Sequence, residues 1–461
     1  MTTTAQPAAF VSRAPKLGLV GGFDGIRGIG VCMVLVGHAL FEYVESWVTI
    51  VDTFFVLSGF LITTLLLQEA RTTGGIDLKK FYTRRGIRLF PSLCLFVGVW
   101  LVISAIATVV GFEALSLRYV GQDAAAALLY VYHVFFPNGL YVIEPAVQEH
   151  RTMWHLWTLS VEEWFYAVIA GTVLVCVRRR WIAQLGSLMV AAFVVIGVAR
   201  WFAYTGFFQD DESMVAGVRM ALLQRPDALM LGMALACGNA YLTEERMERI
   251  RRPMLVAATA GLVVWFVMLN LSSGLVEKLG GPYVDYLPTG PEEFTRPQML
   301  DTLYWFRFGH TLGALGFGLI LVGLVRYSDW WLSRFWSWHR FQWLGRLSYT
   351  LYVWHALPYI ILMAVRGGAD APASVQILRT PILIAAAFAV SMPVYYLVEL
   401  RVLRMKLRFA SEKEVLDLRT GKMVQVDHAD QIASADRTLS PDEVGDTPDE
   451  GRTERGSPDR G

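Results

Sequence analysis

The fold class this sequence predicts is an all-α polytopic membrane protein, with about ten transmembrane helices and both termini in the cytoplasm. Three observations carry that expectation: apolar runs of spanning length recur along most of the chain, charged residues are scarce, and Lys and Arg concentrate in alternate connections. Of the 461 residues, 54% are hydrophobic and only 18% charged, and the mean hydropathy is +0.43. That is too apolar for a soluble chain of this size. The net charge of +1 offers no clustered basic excess, so nucleic acid is not an expected partner and the lipid bilayer is.

Residues 1–22 hold no apolar stretch followed by a small-residue cleavage site, so they read as a cytoplasmic N-terminal segment without a cleaved signal peptide. Spans are expected near 26–44, 51–69, 89–110, 158–177, 182–204, 221–241, 253–271, 303–325, 343–364 and 379–401. The stretch 123–136 is too short to cross and reads as a re-entrant or interfacial helix. From about Ser411 the chain turns polar, with few aromatics, and 405–461 is expected to be a disordered cytoplasmic tail.

Orientation follows from the cations. One set of connections carries Arg13 and Lys16; Arg71, Lys79, Lys80, Arg84, Arg85 and Arg88; Arg178 to Arg180; Arg246, Arg249, Arg251 and Arg252; and Arg326, Arg334, Arg340 and Arg346. That is roughly nineteen against about six in the other set, a bias that sets topology in a multi-pass protein of the inner (plasma) membrane. The long connections 111–157 and 272–302 then face outward, either shaping an acceptor site or simply linking spans. Cys32, Cys94, Cys176 and Cys237 all lie in apolar runs without metal-ligand spacing, so they read as packing thiols and no metal is expected.

A charge at the centre of a spanning helix costs about 2.5–3.5 kcal/mol on insertion scales, so the polar residues of the spans call for an explanation. In FDGIRGIGVCMVLVGHAL, Arg27 and His38 are eleven residues apart, three turns plus about 20°, which sets them on one helix face about 16 Å apart. Asp24 lies within about 40° of that face. His38 is either a hydrogen-bonded helix contact or a general base for a hydroxyl. In VDTFFVLSGFL, Asp52 opens the second span, and Ser58 with Gly59 reads as a packing pair.

The segment FYTRRGIRLFPS brings Arg84, Arg85 and Arg88 to the cytoplasmic start of the third span, with Arg85 and Arg88 neighbours on one face. They serve as positive-inside anchors or as the bidentate phosphate grip that coenzyme A would need. MWHLWTLSVEEWFYAV is the densest polar and aromatic patch; helical spacing sets His155, Glu162 and Tyr166 on one side, and favours Glu162 over Glu163. Arg225 and Asp227 read as a local ion pair. Ser348 and His355 share a face in the ninth span, Tyr349 and Tyr352 are three apart, and Glu399 reads as a partner of Arg401 or Arg404.

Six segments in one order, FDGIRGIGVCMVLVGH, VDTFFVLSGFLIT, FYTRRGIRLFP, HLWTLSVEEWFY, RPDALMLG and LGRLSYTLYVWH, resemble the acyltransferase 3 family of membrane O-acyltransferases. Its members modify lipopolysaccharide, peptidoglycan, exopolysaccharides and some macrolides. The likeness covers residues 23–404. It implies an Arg-x10-His motif, Arg27 with His38, that acts on the acceptor, and an Arg-x-x-Arg motif, Arg85 with Arg88, that meets acyl-CoA. Two departures stand out: Trp157–Thr158 replaces the usual Trp-Ser, and Glu399-Leu400-Arg401 replaces Glu-x-Pro. Some members add an esterase-like C-terminal domain; the polar tail here points to the standalone kind.

The expected function is transfer of an acyl group, first of all acetyl, from cytoplasmic acyl-CoA to a hydroxyl of an extracytoplasmic saccharide or lipid-linked acceptor of the cell envelope. Acyl-CoA is a substrate, and no tightly bound cofactor is expected. The expected catalytic residues are His38, Arg27 and Glu162, the donor-binding residues Arg85 and Arg88, and the acceptor-binding residues His155, Trp157 and Thr158. Direct transfer and an acyl-His38 intermediate are both compatible with these residues. The rival reading is a proton-coupled transporter with His38, Asp24 and Glu162 as the relay.

Overall fold

The computed structural model describes residues 10–17, 20–40, 43–112, 115–135, 151–203, 225–286, 303–365, 372–402, 414–416 and 423–425. The principal helices are α1 (Gly21–Ala39), α2 (Thr49–Thr73), α3 (Leu78–Val110), α4 (Leu117–Leu128), α5 (Trp157–Arg179), α6 (Ile182–Ala203), α7 (Pro226–Asn239), α8 (Arg251–Asn270), α9 (Gly309–Arg326), α10 (His339–Trp354), α11 (Ala356–Val365) and α12 (Ala373–Val394). Short helical turns fill several connections. Most of 405–461 lies outside the described residues; within it Glu414–Leu416 pairs antiparallel with Met423–Gln425.

Among the described residues seven helices are long and apolar enough to cross a membrane: α2, α3, α5, α6, α8, α9 and α12 with its extension to Val402. The other three expected spans correspond to α1, α7 and the pair α10–α11. Each falls short for a physical reason. The first carries Asp24, Arg27, His38 and six glycines in 19 residues, the second starts only at Pro226 after a left-handed Arg225 and runs 14 residues, and the third is broken at His355. The stretch near 123–136 forms the 12-residue α4 and a four-residue turn, Tyr132–Phe135.

Burial divides the helices into two sets. The spanning windows of α2 and α9 are mostly buried, whereas α3, α6, α8 and α12 leave most of theirs exposed. Val102 and Ile106 on α3, Val195 on α6, Phe266 on α8 and Ile382 on α12 form an apolar exterior, as a bilayer-facing surface requires. The helices too short or too polar to cross pack inside, α1 against α10 and α7 against α2.

Glycine makes both of those contacts close. A Cβ on Gly59 of α2 would overlap the Leu229 carbonyl of α7, and one on Gly232 of α7 would overlap the Val56 carbonyl, so each backbone fills the other's missing side chain. The same relation joins Gly345 of α10 to the Asp24 carbonyl of α1. Gly59 is thus a packing residue as expected. Ser58 is not: it faces the cavity described below.

Two devices hold the entry to α5. Asp123 of α4 accepts hydrogen bonds from Arg151 Nη1 at 2.8 Å and from the Thr152 backbone N–H at 2.9 Å. Burial pushes the Asp123 carboxyl up from the usual carboxylate range, while the hydrogen bond and charge of Arg151 pull it down. The 3-10 turn Trp154–Leu156 then feeds directly into α5.

Candidate active site

A cavity of about 170 Å³ lies between α1, α2, α3, α5 and α10. Its polar lining is Arg27, Ser58, Arg85, Arg88, Thr158, Glu162, Tyr166, Ser348, Tyr349 and Tyr352, and its apolar lining includes Val31, Val34, Phe54, Phe55 and Leu61. Five stretches far apart in sequence therefore converge on one chamber, all drawn from the segments that carry the polar residues of the spans.

The arginines differ sharply in their partners. Arg84 donates from Nη2 to Glu69 Oε2 at 2.9 Å, away from the chamber lining. Arg85 forms an ion pair with Glu163, its Nε 3.3 Å from Oε2, and its guanidinium lies 3.7 Å from the centre of the Tyr166 ring. Its charge is thus matched within the protein. Arg27 and Arg88 also line the cavity, yet among the described residues neither makes a hydrogen bond or an ion pair. Two guanidinium groups without hydrogen-bonded carboxylate partners among the described residues thus face one chamber, and arginine is the side chain suited to bidentate contact with an anion.

The two adjacent glutamates are also separated by geometry. Glu163 goes to Arg85, while Glu162 faces the chamber and accepts from Ser58 Oγ at 3.1 Å and from the Tyr166 hydroxyl at 3.4 Å. His155 sits in the 3-10 turn that leads into α5 and is buried behind the chamber wall, so it does not join Glu162 in lining the chamber.

Of the residues expected to hold the acceptor, Thr158 lines the chamber and its hydroxyl lies 2.6 Å from that of Tyr352. His155, 1% exposed, and Trp157 are buried behind that wall. His155 donates from Nε2 to the Val353 carbonyl at 3.0 Å, and the Trp157 ring packs edge-on against Phe55.

His38 stands one residue from the end of α1, beyond the Thr158–Tyr352 end of the chamber, and does not itself line it. It is partly exposed, whereas its neighbours His155 and His355 are buried. Its Nδ1 lies 2.8 Å from His355 Nε2, the two ring planes are within 19° of parallel and meet edge to edge with centroids 5.0 Å apart, and Trp154 packs edge-on at 4.7 Å. The sequence marks His355 only as a second intramembrane histidine; no spacing in the chain ties it to a residue 317 positions away.

Two other expected pairings are replaced. Arg225 and Asp227 do not bond to each other: Asp227 holds Arg200 through two hydrogen bonds of 2.6 and 3.1 Å, and Arg225 meets Asp52 at 3.4 Å, with His310 Nδ1 2.7 Å from the same carboxylate. All five are essentially buried. Residues two apart at a helix start point away from each other, so each finds a partner on another helix. Glu399 likewise bonds Thr350 Oγ1 of α10 rather than Arg401, because the π-turn Tyr395–Glu399 rotates it inward; Arg404 lies outside the described residues.

Comparison with known proteins identifies the family. The acyltransferase 3 family model, described as an acyltransferase domain, matches residues 20–396. The chain is 27% identical over 349 residues to a Staphylococcus aureus (strain COL) protein provisionally named an O-acetyltransferase, covering 74% of this chain and 50% of that one. It is 25% identical over 342 residues to the peptidoglycan O-acetyltransferase OatA of Listeria monocytogenes, covering 73% and 49%. A Bacillus subtilis protein, YrhL, provisionally named a peptidoglycan O-acetyltransferase, is 26% identical over 350 residues, covering 74% and 49%. The chain thus spans about half the length of the curated relatives it matches, and no solved structure matches it significantly. With its cavity-facing arginines, its outlying histidine and a family match over most of its length, the chain belongs to the acyltransferase 3 family.

Proposed function

We propose that the chain is a membrane O-acyltransferase of the inner membrane that carries an acyl group, first of all acetyl, from cytoplasmic acyl-CoA to a hydroxyl on a cell-envelope carbohydrate. The observation that carries this reading is the pair Arg27 and Arg88, two cations without hydrogen-bonded partners lining one chamber whose far end, Thr158 and Tyr352, adjoins His38 and His355. An acyl-CoA arriving from the cytoplasm would set phosphate oxygens on the Arg88 end and thread its extended pantetheine arm along α1 toward His38, about 16 Å from Arg27. The names of the Listeria and Bacillus relatives favour peptidoglycan as the acceptor class.

In this reading the acceptor hydroxyl oxygen attacks the thioester carbonyl carbon. The new C–O bond forms as the C–S bond breaks, the hydroxyl proton passes to His38 Nε2, and from there to the departing thiolate, which leaves as free coenzyme A. Glu162 is held by Ser58 and Tyr166 opposite the arginines, where it keeps the chamber from carrying an unbalanced positive charge before the donor binds.

Purified protein in liposomes with radiolabelled acetyl-CoA tests the proposal. Label transfer to added peptidoglycan fragments in the wild type, lost in His38→Ala and weakened at low acetyl-CoA in Arg88→Ala at equal folding, is the expected result. Unchanged activity in His38→Ala removes the base. No transfer or release with several acyl-CoA donors, together with proton-coupled solute flux, replaces the enzyme with a transporter.

A further inference from the structure

We infer that His355 is a positioning residue that sets the tautomer of His38, holding its proton on Nδ1 and presenting Nε2 as a bare lone pair. The inference rests on the reading of His38 as the base, and it begins from a break in a helix. Pro358 has no N–H to give the Trp354 carbonyl and crowds it sterically, so the helix stops after Trp354 and resumes at Ala356. The last carbonyls of α10 then need partners from elsewhere.

Histidines supply two of them. His155 Nε2 bonds the Val353 carbonyl at 3.0 Å, and His355 Nδ1 bonds the Tyr352 carbonyl at 2.6 Å. A carbonyl oxygen only accepts, so His355 must carry its proton on Nδ1. The Nε2 of neutral His355 is then an acceptor, and the atom 2.8 Å from it, His38 Nδ1, must be the donor. The other ring nitrogen of His38, Nε2, is left without a proton.

The direction of the whole chain, His38 to His355 to the Tyr352 carbonyl, is thus dictated by one backbone oxygen. The surroundings hold the ring in place as well: Trp154 packs edge-on against His38, and the ring of His155 lies edge-on to His355, centroids 5.0 Å apart. The arrangement performs the orienting half of what a carboxylate does for the histidine of a triad. It lacks the carboxylate's charge, so it selects a tautomer without favouring the imidazolium in the resting state.

The test is the nitrogen NMR signature of His38 in full-length protein labelled with 15N-histidine in lipid nanodiscs, read beside steady-state acetyl transfer. In the wild type, His38 should show a protonated Nδ1 and an unprotonated Nε2. His355→Ala and the ring-sized, acceptor-free His355→Phe should both lose that preference and lower kcat by about 10²-fold, with KM for acetyl-CoA changing less than about twofold. His355→Gln restores an acceptor near the Nε2 position and should recover about tenfold of the loss. A wild-type His38 protonated on Nε2, or a tautomer and kcat unchanged in both acceptor-free variants, overturns the inference, as does a Gln variant no better than Ala. If the tautomer follows His355 as expected but the wild type transfers no acyl group, the positioning stands and the proposed function falls.

Discussion

Arg85 of α3 and Glu163 of α5, 78 positions apart in the chain, close on each other at the edge of the chamber, with the Arg85 guanidinium laid over the Tyr166 ring. This one pair makes Arg85 and Arg88 unlike, although the sequence treats them as equals. Arg85→Ala leaves Glu163 without its cation in a mostly buried setting and should cost about 3 kcal/mol of stability. Arg88→Ala removes no hydrogen bond or ion pair among the described residues and should cost less than about 1 kcal/mol of stability while raising KM for acyl-CoA about tenfold or more. Thermal unfolding in detergent beside donor titrations measures the split; equal loss of stability in the two variants would be the contrary result.

Glu162 can be separated from its neighbour by charge alone. Glu162→Gln keeps an oxygen for Ser58 to donate to but loses the negative charge, and kcat should fall by about 10²-fold. Ser58→Ala removes one hydrogen bond to the carboxylate and should cost only about fivefold, the equivalent of about 1 kcal/mol. A Gln variant as active as wild type would show that the carboxylate is structural.

The buried pair Arg200–Asp227 carries a different expectation. Asp227→Leu removes the carboxylate that Arg200 bonds through Nη1 and Nη2 and should destabilise by about 3 kcal/mol. Replacing both residues by Leu removes the guanidinium as well, so the double variant should be markedly more stable than the single one. A double-mutant cycle by thermal unfolding reads this directly, and strict additivity would contradict it.

The glycine contact between α2 and α7 predicts position-dependent alanine tolerance. Gly59→Ala or Gly232→Ala drives a methyl into the opposing carbonyl and should cost about 1–3 kcal/mol or abolish folding. Gly171→Ala on α5 meets nothing within 4 Å and should be neutral or slightly stabilising, because alanine is the better helix former. Folded yield and melting temperature in one detergent compare the three.

Isotope exchange addresses the order of events at His38. Exchange of label between coenzyme A and acetyl-CoA without acceptor, lost in His38→Ala, is expected only if an acyl-enzyme forms; absence of exchange in an enzyme that transfers acetyl is the outcome the general-base route predicts.

Much of the site was legible in the chain because a charge inside a bilayer is expensive, and a residue that incurs the cost is conspicuous. Arg27, Arg88 and Glu162 stand out for that reason and Thr158 for its place in the family motif, and all four line the chamber. The reading failed where it assumed one uninterrupted helix. The ninth expected span is two helices because of Pro358. It failed again where it chose a partner by nearness in sequence: Asp227 reaches Arg200, Arg225 reaches Asp52, and Glu399 reaches Thr350.

The sequence by itself determined what each segment can be. Apolar length, cation bias and motif order carry the membrane class, the family and the polar residues worth attention, because these depend on composition and local periodicity. Only the tertiary structure decided which charges are paired with one another and which face the chamber without such a pair among the described residues. Arg85 is paired while Arg88 is not, Ser58 serves Glu162 rather than packing, and His355 turns the Tyr352 carbonyl into the anchor of His38. Such assignments depend on distances between helices, and in a low-dielectric interior a shift of a few ångströms decides whether two groups cancel or stand exposed.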